Sequence, residues 1–348
     1  MLCINDLHVG VRRVGGTTIN SQGALKNYLR NSLKSLLNNT EEDEVVVNGD
    51  LFDNFTIDTM EVFRTAIIFM EWFAESPNRT LYLIAGNHDW NPRADQISSF
   101  HFLIYILGIS EYRQQIRVYD RGLARLTDNV FCIPHMPNQE LFDAEIEKVL
   151  HIDKPGILLL HCNYRNGFAE NNDHSLNLGE NQVGDLMRAG WKLVLGHEHI
   201  PCEYRSGNVI VVGNQFPTSV VDCVGNDKKY CLLIKDDLLT LKTTWDVSGK
   251  YDEIDWRNID TAELSLQFIS VTGEATCEEA AEVIKAIAKL RQEHDAFVIA
   301  NRVKIKSDDI SDSIQPIENI KAFDVVEAIL AELDPEEQRI IKELLTKC

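Results

Sequence analysis

Five short polar motifs between Asp6 and His199 contain side chains that can bind metal ions. They are Asp6-Leu7-His8, Gly49-Asp50-Leu51-Phe52-Asp53, Gly86-Asn87-His88-Asp89, His161 and Gly196-His197-Glu198-His199. Carboxylates, neutral imidazoles and an amide oxygen are the mixed nitrogen and oxygen ligands that pairs of manganese, iron or zinc ions accept. A single motif of this kind occurs by chance, and a lone histidine at a strand end is more often structural. The ordered set, unlike any one motif, predicts a metal centre.

A centre with two metal ions favours one kind of chemistry. Two cations that share a bridging water lower the pKa of that water, so hydroxide forms at neutral pH and attacks phosphorus in line with the leaving oxygen. The motifs therefore indicate hydrolysis of a phosphate ester.

The pattern of apolar residues predicts the scaffold that brings these motifs together. Short β-rich runs (Glu44–Asn48, Thr80–Ala85, Gly156–Leu160, Trp191–Leu195, Asn208–Val212) alternate with helical stretches such as Ala24–Leu37 and Asp58–Ala74. This alternation predicts a layered α/β domain over residues 1–245. Each motif begins where a strand is predicted to end, and loops at strand ends are where rigid α/β scaffolds hold catalytic groups.

A smaller second unit is predicted over residues 246–308. Leu264–Val271 alternates as a strand, Cys277–Arg291 has apolar residues at helical spacing, and Ala296–Ile305 alternates again, which predicts a βαβ-like module. Residues 309–348 are predicted to form a linker and two amphipathic C-terminal helices. The last of these begins with Asp334 as N-cap and Pro335 at the first helical position.

The charge of the chain opposes a nucleic-acid substrate. The 348 residues have a formal net charge of −20 and a pI near 4.9, which should repel a phosphate backbone over most of the surface. Two bound divalent cations would reverse the field locally, and a basic partner could supply further contacts.

The remaining composition indicates an ordinary globular protein. Eight scattered cysteines without a Cys-X-X-Cys pair argue against a disulfide framework or a thiolate zinc site. No apolar run approaches the length of a bilayer span, and the N-terminus lacks a basic region followed by an apolar stretch. We therefore expect a cytoplasmic protein with no membrane partner.

The ordered motifs resemble those of the calcineurin-like metallophosphoesterases, a similarity that covers about the first two thirds of the chain. The layout further resembles the SbcD family of DNA repair nucleases, especially bacteriophage recombination-nuclease subunits. That narrower resemblance rests on Asp6–Gly10, on His161–Phe168, on the loop Gly213–Ser219, and on the small module followed by terminal helices. It implies a four-layer β-sandwich flanked by helices, with a small βαβ capping domain, and for a phage protein the cytoplasm of a bacterial host. Asn5 departs from the family, where Ser or Gly usually precedes the first metal-binding Asp.

Carried over residue by residue, the resemblance implies two divalent metal ions, with Mn²⁺ expected and Mg²⁺, Fe²⁺ or Zn²⁺ possible. One metal would be held by Asp6, His8 and His199, and the other by Asn87, His161 and His197, with Asp50 bridging the two. His88 would contact the phosphate and protonate the leaving oxygen, and Asp89 would orient the His88 imidazole. Asp53 and Asp89 could equally be turn or capping residues.

Three further residues near the motifs are candidates for substrate contact. Arg12 and Arg13 follow the first motif and are either phosphate contacts or a solvated basic pair. His174 lies in a loop that could approach the substrate.

The resemblance also implies partners and a function. The expected activity is that of a DNA exonuclease and endonuclease. The chain would be the nuclease subunit, as a homodimer within a heterotetramer, that binds DNA and docks its C-terminal helices on an SMC-type, SbcC-like ATPase. Two alternatives remain open: a phosphoprotein phosphatase or small-molecule (cyclic-nucleotide) phosphodiesterase, which the acidic composition favours, and an inactive binding scaffold, which the complete ligand set disfavours.

Overall fold

A computed structural model describes residues 1–11, 19–91, 96–165, 175–225, 227–236, 238–261 and 266–306. The predicted C-terminal helices, Arg12, Arg13 and His174 lie outside these residues. No helix in the described ranges is both long and apolar enough to cross a bilayer.

The first of two large sheets has six strands, numbered here in chain order. They are β1 (Leu2–Ile4), β2 (Glu44–Asn48), β3 (Thr80–Ile84), β4 (Ile116–Tyr119), β13 (Lys228–Lys235) and β14 (Leu238–Asp246). Their order is β14-β13-β1-β2-β3-β4, with β1 to β4 parallel, β13 antiparallel to β1 and β14 antiparallel to β13. Strands β1, β2 and β3 are buried on both faces, which explains their predominantly apolar sequences, whereas β4 at the edge is partly exposed.

The second large sheet also has six strands. They are β5 (Ala124–Arg125), β6 (Val130–Ile133), β7 (Ile157–His161), β10 (Lys192–Gly196), β11 (Cys202–Tyr204) and β12 (Val209–Val211). The order is β11-β12-β10-β7-β6-β5, with the four central strands parallel and the two edge strands antiparallel to their neighbours. Two short strands, β8 (Asn163–Tyr164) and β9 (Asn177–Leu178), pair beside it.

Six α-helices lie within the described residues. They are α1 (Ile19–Asn38), α2 (Thr59–Ala74), α3 (Ser99–Gly108), α4 (Gln139–Leu150), α5 (Glu180–Arg188) and α6 (Ala280–Glu293). Side-chain caps fix several of their starts, because the side chains of Asp58, Ser98 and Asn138 accept hydrogen bonds from backbone amides in the first turn.

Side chains that alternate along the strands belong to three different apolar cores. Val45 and Val47 of β2 pack on α1, α2 and α3, whereas Val46 between them faces the second sheet. In β7, Leu159 joins the core between the sheets and Leu158 packs toward α4 and α5. The molecule is therefore a four-layer α/β sandwich with helices on both outer faces, as the resemblance implied.

The predicted βαβ module is present and contains one strand more than expected. The parallel strands β15 (Tyr251–Asp255), β16 (Phe268–Thr272) and β18 (Val298–Asn301) form a separate sheet, and α6 connects the last two. Phe268 and Val298 belong to the same core as α1 to α3. The chain divides into two compact units, Met1–Gly273 with Ala281–Lys304 and Glu274–Ala280 with Ile305–Cys348. The short strands β17 (Glu274–Thr276) and β19 (Lys304–Lys306) complete the described elements.

Candidate metal centre

The seven predicted metal ligands lie at or just beyond the carboxyl ends of five parallel strands. Asp6 follows β1, Asp50 follows β2 and Asn87 follows β3 in the first sheet, while His161 ends β7 and His197 follows β10 in the second. Because strands of both large sheets end along the same edge, ligands as far apart in the chain as Asp6 and His199, 193 residues, meet there. Next to them, Asn5 Nδ2 donates to Leu195 O at 3.3 Å and joins the two sheets.

The loops that carry the ligands adopt unusual backbone conformations. Asp6, His8, Asp50 and His197 have φ of 48°, 46°, 48° and 87°, a region that non-glycine residues rarely occupy. Gly49 shows how tight the packing is, since a Cβ there would lie 1.9 Å from Nδ1 of His161. Four strained residues at one site indicate a geometry selected for function rather than for stability.

The first ligand cluster is formed by Asp6, His8 and His199, whose candidate ligand atoms all lie within 4.8 Å of one another. Nε2 of His8 is 3.0 Å from Nε2 of His199. Both Asp6 and His8 are buried, and the Asp6 carboxylate also accepts the backbone amide of His197 at 3.0 and 3.1 Å.

The second cluster is formed by Asp50, His161 and His197, again within 4.8 Å. Oδ1 of Asn87 lies 3.0 Å from His161 Nε2 and 3.0 Å from His197 Nδ1. Oδ1 of Asp50 is 3.3 Å from the same nitrogen of His161. All four predicted ligands of this metal therefore converge.

The spacing of these atoms fits bound cations. Two ligands at right angles, each about 2.1 Å from a metal ion, are roughly 3.0 Å apart, which is the separation between the paired atoms in both clusters. Asp50 connects the clusters, because its Oδ1 faces His161 while its Oδ2 lies 3.9 Å from Nε2 of His8. The donor set could thus hold two divalent ions, one at each cluster, and the predicted role of Asp50 as a ligand common to both stays a prediction.

Burial and mutual charge shift the protonation of these groups in opposite directions. Burial alone would raise the pKa of Asp50, but the His161 imidazole holds that pKa well below its usual range. Burial alone would lower the pKa of His161, but the Asp50 carboxylate raises it to about 9. For Asp6, burial is the largest influence and raises the pKa. The His161 imidazole and the Asp50 carboxylate thus form a buried ion pair that a cation would replace.

His88 and Asp89 occupy different environments. The His88 side chain is 39% exposed, and its Nε2 lies 3.9 Å from Oδ2 of Asp50. Asp89 is buried, and its two oxygens accept backbone amides from Gly86 at 2.9 Å and Phe52 at 3.4 Å. Burial, followed by the charge of Asp50, raises the pKa of Asp89 to about 7. Asp89 therefore ties two ligand loops together, and its predicted role in orienting His88 stays a prediction.

Two further residues contact ligands without having been predicted. Oδ1 of Asp222 lies 2.9 Å from Nδ1 of His199, and Nζ of the fully buried Lys229 donates to the His199 carbonyl at 2.9 Å. Burial would raise the pKa of Asp222, but the hydrogen bond with His199 and nearby positive charge hold it far below its usual range. Asp53, one of the open candidates, lies 3.5 Å from Nδ1 of His8. No sequence motif marks Asp222 or Lys229.

Comparison with known proteins agrees with this geometry. The sequence profile of the calcineurin-like phosphoesterase family matches residues 1–232, which include all seven predicted ligands as well as Asp222 and Lys229. No curated protein matches the chain. Members of this family are metal-dependent phosphoester hydrolases that bind divalent ions, and the two ligand clusters provide places for two of them. The chain belongs to the calcineurin-like phosphoesterase family.

Proposed function

We propose that the chain is a Mn²⁺-dependent phosphodiesterase that cleaves the DNA backbone as an exonuclease and endonuclease. The observation that carries the proposal is the pair of neighbouring ligand clusters, in which Asp50 of one lies 3.9 Å from His8 of the other, with the exposed imidazole of His88 beside them. The buried carboxylates and imidazoles hold the cations, and His88 is the accessible group that can reach a substrate phosphate.

The chain's own residues divide the work of hydrolysis. When bound, two divalent cations supply a hydroxide nucleophile and neutralise charge on the phosphoryl oxygens. Asp50 keeps the two clusters in a fixed relation, and the amide of His88 donates to Oδ1 of Asp50 at 3.0 Å. His88 then protonates the leaving oxygen of the ester, a role that suits an imidazole at the mouth of the site.

An arginine pair near the ligand loops supports a polyanionic substrate. Arg165 and Arg205 are 58% and 46% exposed, and both form ion pairs with Glu180. The amide of Tyr164 donates to Glu198 at 2.7 Å, and Glu198 lies between the ligands His197 and His199. Together with Glu180 and Glu198, the two arginines form a patch without net charge, in contrast to the net charge of −20 for the whole chain. Contacts from such arginines to phosphate would position DNA without reading its sequence.

A substrate panel tests this function. The purified full chain with Mn²⁺ is incubated with linear duplex DNA, single-stranded DNA, a bis-aryl phosphodiester and an aryl phosphomonoester. We expect cleavage of DNA and of the diester. Turnover of the monoester without attack on either DNA would replace the nuclease by a phosphatase, the alternative that the acidic surface favours. No turnover of any substrate by the metal-loaded chain would favour an inactive scaffold.

We further propose that the nuclease acts as a homodimer bound to an SMC-type, SbcC-like ATPase. Met60, Phe63 and Ile67 of α2 are 55%, 43% and 51% exposed, and Tyr105 and Ile109 at the end of α3 are 63% and 71% exposed. Met60, Phe63 and Ile67 follow one another at helical spacing, and exposed apolar residues grouped on one helix face are typical of protein interfaces. We assign this face to the second copy; the residues expected to dock on the ATPase, 309–348, lie beyond the described ranges.

The oligomeric state tests the homodimer. Light scattering after gel filtration should give a dimer mass for the unaltered chain and a monomer mass for Ile67→Glu. Leu141→Glu alters another exposed apolar residue, 45% exposed on α4, and should leave the dimer intact. A monomeric unaltered chain, or dimers that persist in Ile67→Glu, would remove this face from the proposal.

A further inference from the structure

A buried carboxylate outside the metal ligands contacts the ring of one ligand histidine. Asp222 ends a short 3-10 turn, Val220–Asp222, and is 3% exposed. Its Oδ1 lies 2.9 Å from Nδ1 of His199. The opposite ring nitrogen of His199, Nε2, is the atom that lies 3.0 Å from Nε2 of His8 in the first cluster. Asp222 therefore contacts the side of the ring that faces away from the cluster.

The other oxygen of Asp222 is held in place by three donors. Oδ2 accepts the backbone amide of Thr218 at 2.8 Å, the hydroxyl of Thr218 at 2.8 Å and the backbone amide of Ser219 at 2.9 Å. These hydrogen bonds fix the direction of the carboxylate. Because an ionised carboxylate can only accept hydrogen bonds, Nδ1 of His199 must be the donor, and the lone pair of the neutral imidazole is then on Nε2.

The main chain of His199 is also held by a hydrogen bond. Lys229 is fully buried, and its Nζ donates to the carbonyl oxygen of His199 at 2.9 Å. Ring and backbone of this residue are thus fixed by two charged side chains of opposite sign. The corresponding contact of the neighbouring ligand is longer, since His8 Nδ1 lies 3.5 Å from Asp53.

We propose that Asp222 is a positioning residue that fixes His199 as the tautomer protonated on Nδ1, and thereby sets the affinity of the Asp6–His8–His199 cluster for a divalent cation. A carboxylate that accepts from the far nitrogen of a metal-binding histidine orients the ring and makes it a stronger ligand, and loss of such a partner weakens metal binding about 10- to 100-fold. Asp222 would have this effect on metal affinity whichever phosphate ester is the substrate.

The substitution Asp222→Asn tests the proposal with little change in shape. The amide oxygen of Asn can still accept from Thr218 and Ser219, but its NH₂ then faces Nδ1 of His199. That nitrogen must become an acceptor, so the proton moves to Nε2 and the lone pair no longer faces the cluster.

The first measurement is a titration of the full-length, metal-free chain with Mn²⁺ alone, followed by calorimetry. We expect Asp222→Asn to weaken one class of sites about 10- to 100-fold and to leave the other class unchanged. In a His199→Gln background, which lacks the imidazole that Asp222 contacts, Asp222→Asn should have no further effect. Equal weakening of both classes, or of neither, would overturn the proposal.

A matched control makes the same chemical change elsewhere. Asp143 accepts hydrogen bonds from the side-chain amides of Gln139 and Gln182, both at 2.8 Å, on the outer face of the second sheet. Asp143→Asn should leave both classes of Mn²⁺ sites unaltered. A loss of Mn²⁺ affinity in this variant equal to that of Asp222→Asn would reduce the effect to general loosening of the fold and sink the assignment.

The second measurement requires no substitution at Asp222 and covers the case in which that variant does not fold. Nitrogen NMR of the metal-free chain with labelled histidines distinguishes the two neutral tautomers, and the His199 signals are assigned by their absence in His199→Gln. We expect His199 protonated on Nδ1. Protonation on Nε2 would contradict the proposal, whatever the metal titrations give.

Discussion

Cation binding at the second cluster should release a proton from His161, so the affinity for the metal should rise steeply with pH. Burial lowers the pKa of His161, but Asp50, 3.3 Å away, raises it to about 9. A protonated imidazole has no lone pair for a metal, so cation and proton compete. At pH 7, two units below that pKa, about 1% of the imidazole is neutral, which weakens the observed affinity roughly 100-fold, or about 2.7 kcal/mol, relative to a pH above the pKa.

Calorimetric Mn²⁺ titrations at pH 6, 7 and 8, in buffers of different ionisation heat, measure affinity and proton release together. We expect about a tenfold gain in affinity per pH unit and close to one proton released at this cluster. Asp50→Asn removes the charge that raises the His161 pKa, so it should reduce the proton release at pH 7 as well as the affinity. An affinity independent of pH, with no proton released, would refute the assignment of His161 as a protonated partner of Asp50.

Three other outcomes follow from the structure. His88→Ala should lower kcat about 10²- to 10⁴-fold while Mn²⁺ stoichiometry stays at two, because the exposed imidazole lies outside both clusters; loss of metal in this variant would make His88 a ligand. Gly49→Ala should lower the free energy of unfolding, measured with urea, by more than about 3 kcal/mol, since its Cβ would overlap His161 at 1.9 Å in a backbone with φ of 85°. Gly23→Ala, which meets nothing within 4 Å in α1, should instead stabilise by about 0.5–1 kcal/mol.

The ligand loops could be predicted from sequence because the strand that positions each of them directly precedes it in the chain. An apolar strand, a glycine or tight turn, and the polar ligands follow one another without interruption, as in Glu44–Asn48 before Gly49 and Asp50. The strand bounds predicted for this segment coincide with those of β2. The α/β alternation predicted only that these motifs follow strands, whereas the grouping of His161 with Asn87 came from the family resemblance. In the structure the edges of two sheets bring the two side chains within 3.0 Å.

The supporting residues could not be predicted in the same way. Asp222 lies 23 residues beyond its partner His199 and belongs to a short turn without periodicity. Lys229 is the second residue of β13, and a lysine is rarely fully buried, so its position in the sequence gave no reason to expect it beside a ligand. Its burial follows from the charge of Asp222 and the carbonyl of His199, two contacts that arise only in the folded chain.

The small βαβ module shows a different limit of prediction from sequence. Its helix and two of its strands were predicted, but β15 (Tyr251–Asp255) lies in a stretch for which no strand was predicted. Apolar periodicity gives no information on the partner of a buried face. In the structure the ring of Phe297 contacts that of Tyr28 in α1, with the ring centroids 4.9 Å apart and the planes tilted by 34°. Phe268 and Val298 of the module share a core with the first large sheet. The proposed domain boundary at residue 245 stays a prediction.

The backbone strain of the metal ligands and the short length of their sequence motifs have the same physical origin. Asp6 and His8 alternate with Leu7 and Val9, which are at most 1% exposed, and Val9 pairs with Phe52 in the next ligand loop. A left-handed non-glycine residue costs about 1–3 kcal/mol, and full burial of a large apolar side chain contributes about 1.5–3 kcal/mol. The apolar anchors therefore offset the strain of the ligands beside them. A buried apolar residue can offset the strain of a ligand only if the two are close in the chain, so the strained ligands occur in short contiguous motifs. Asp222, which does not have a positive φ, needs no such neighbour and can lie far from its partner in the sequence.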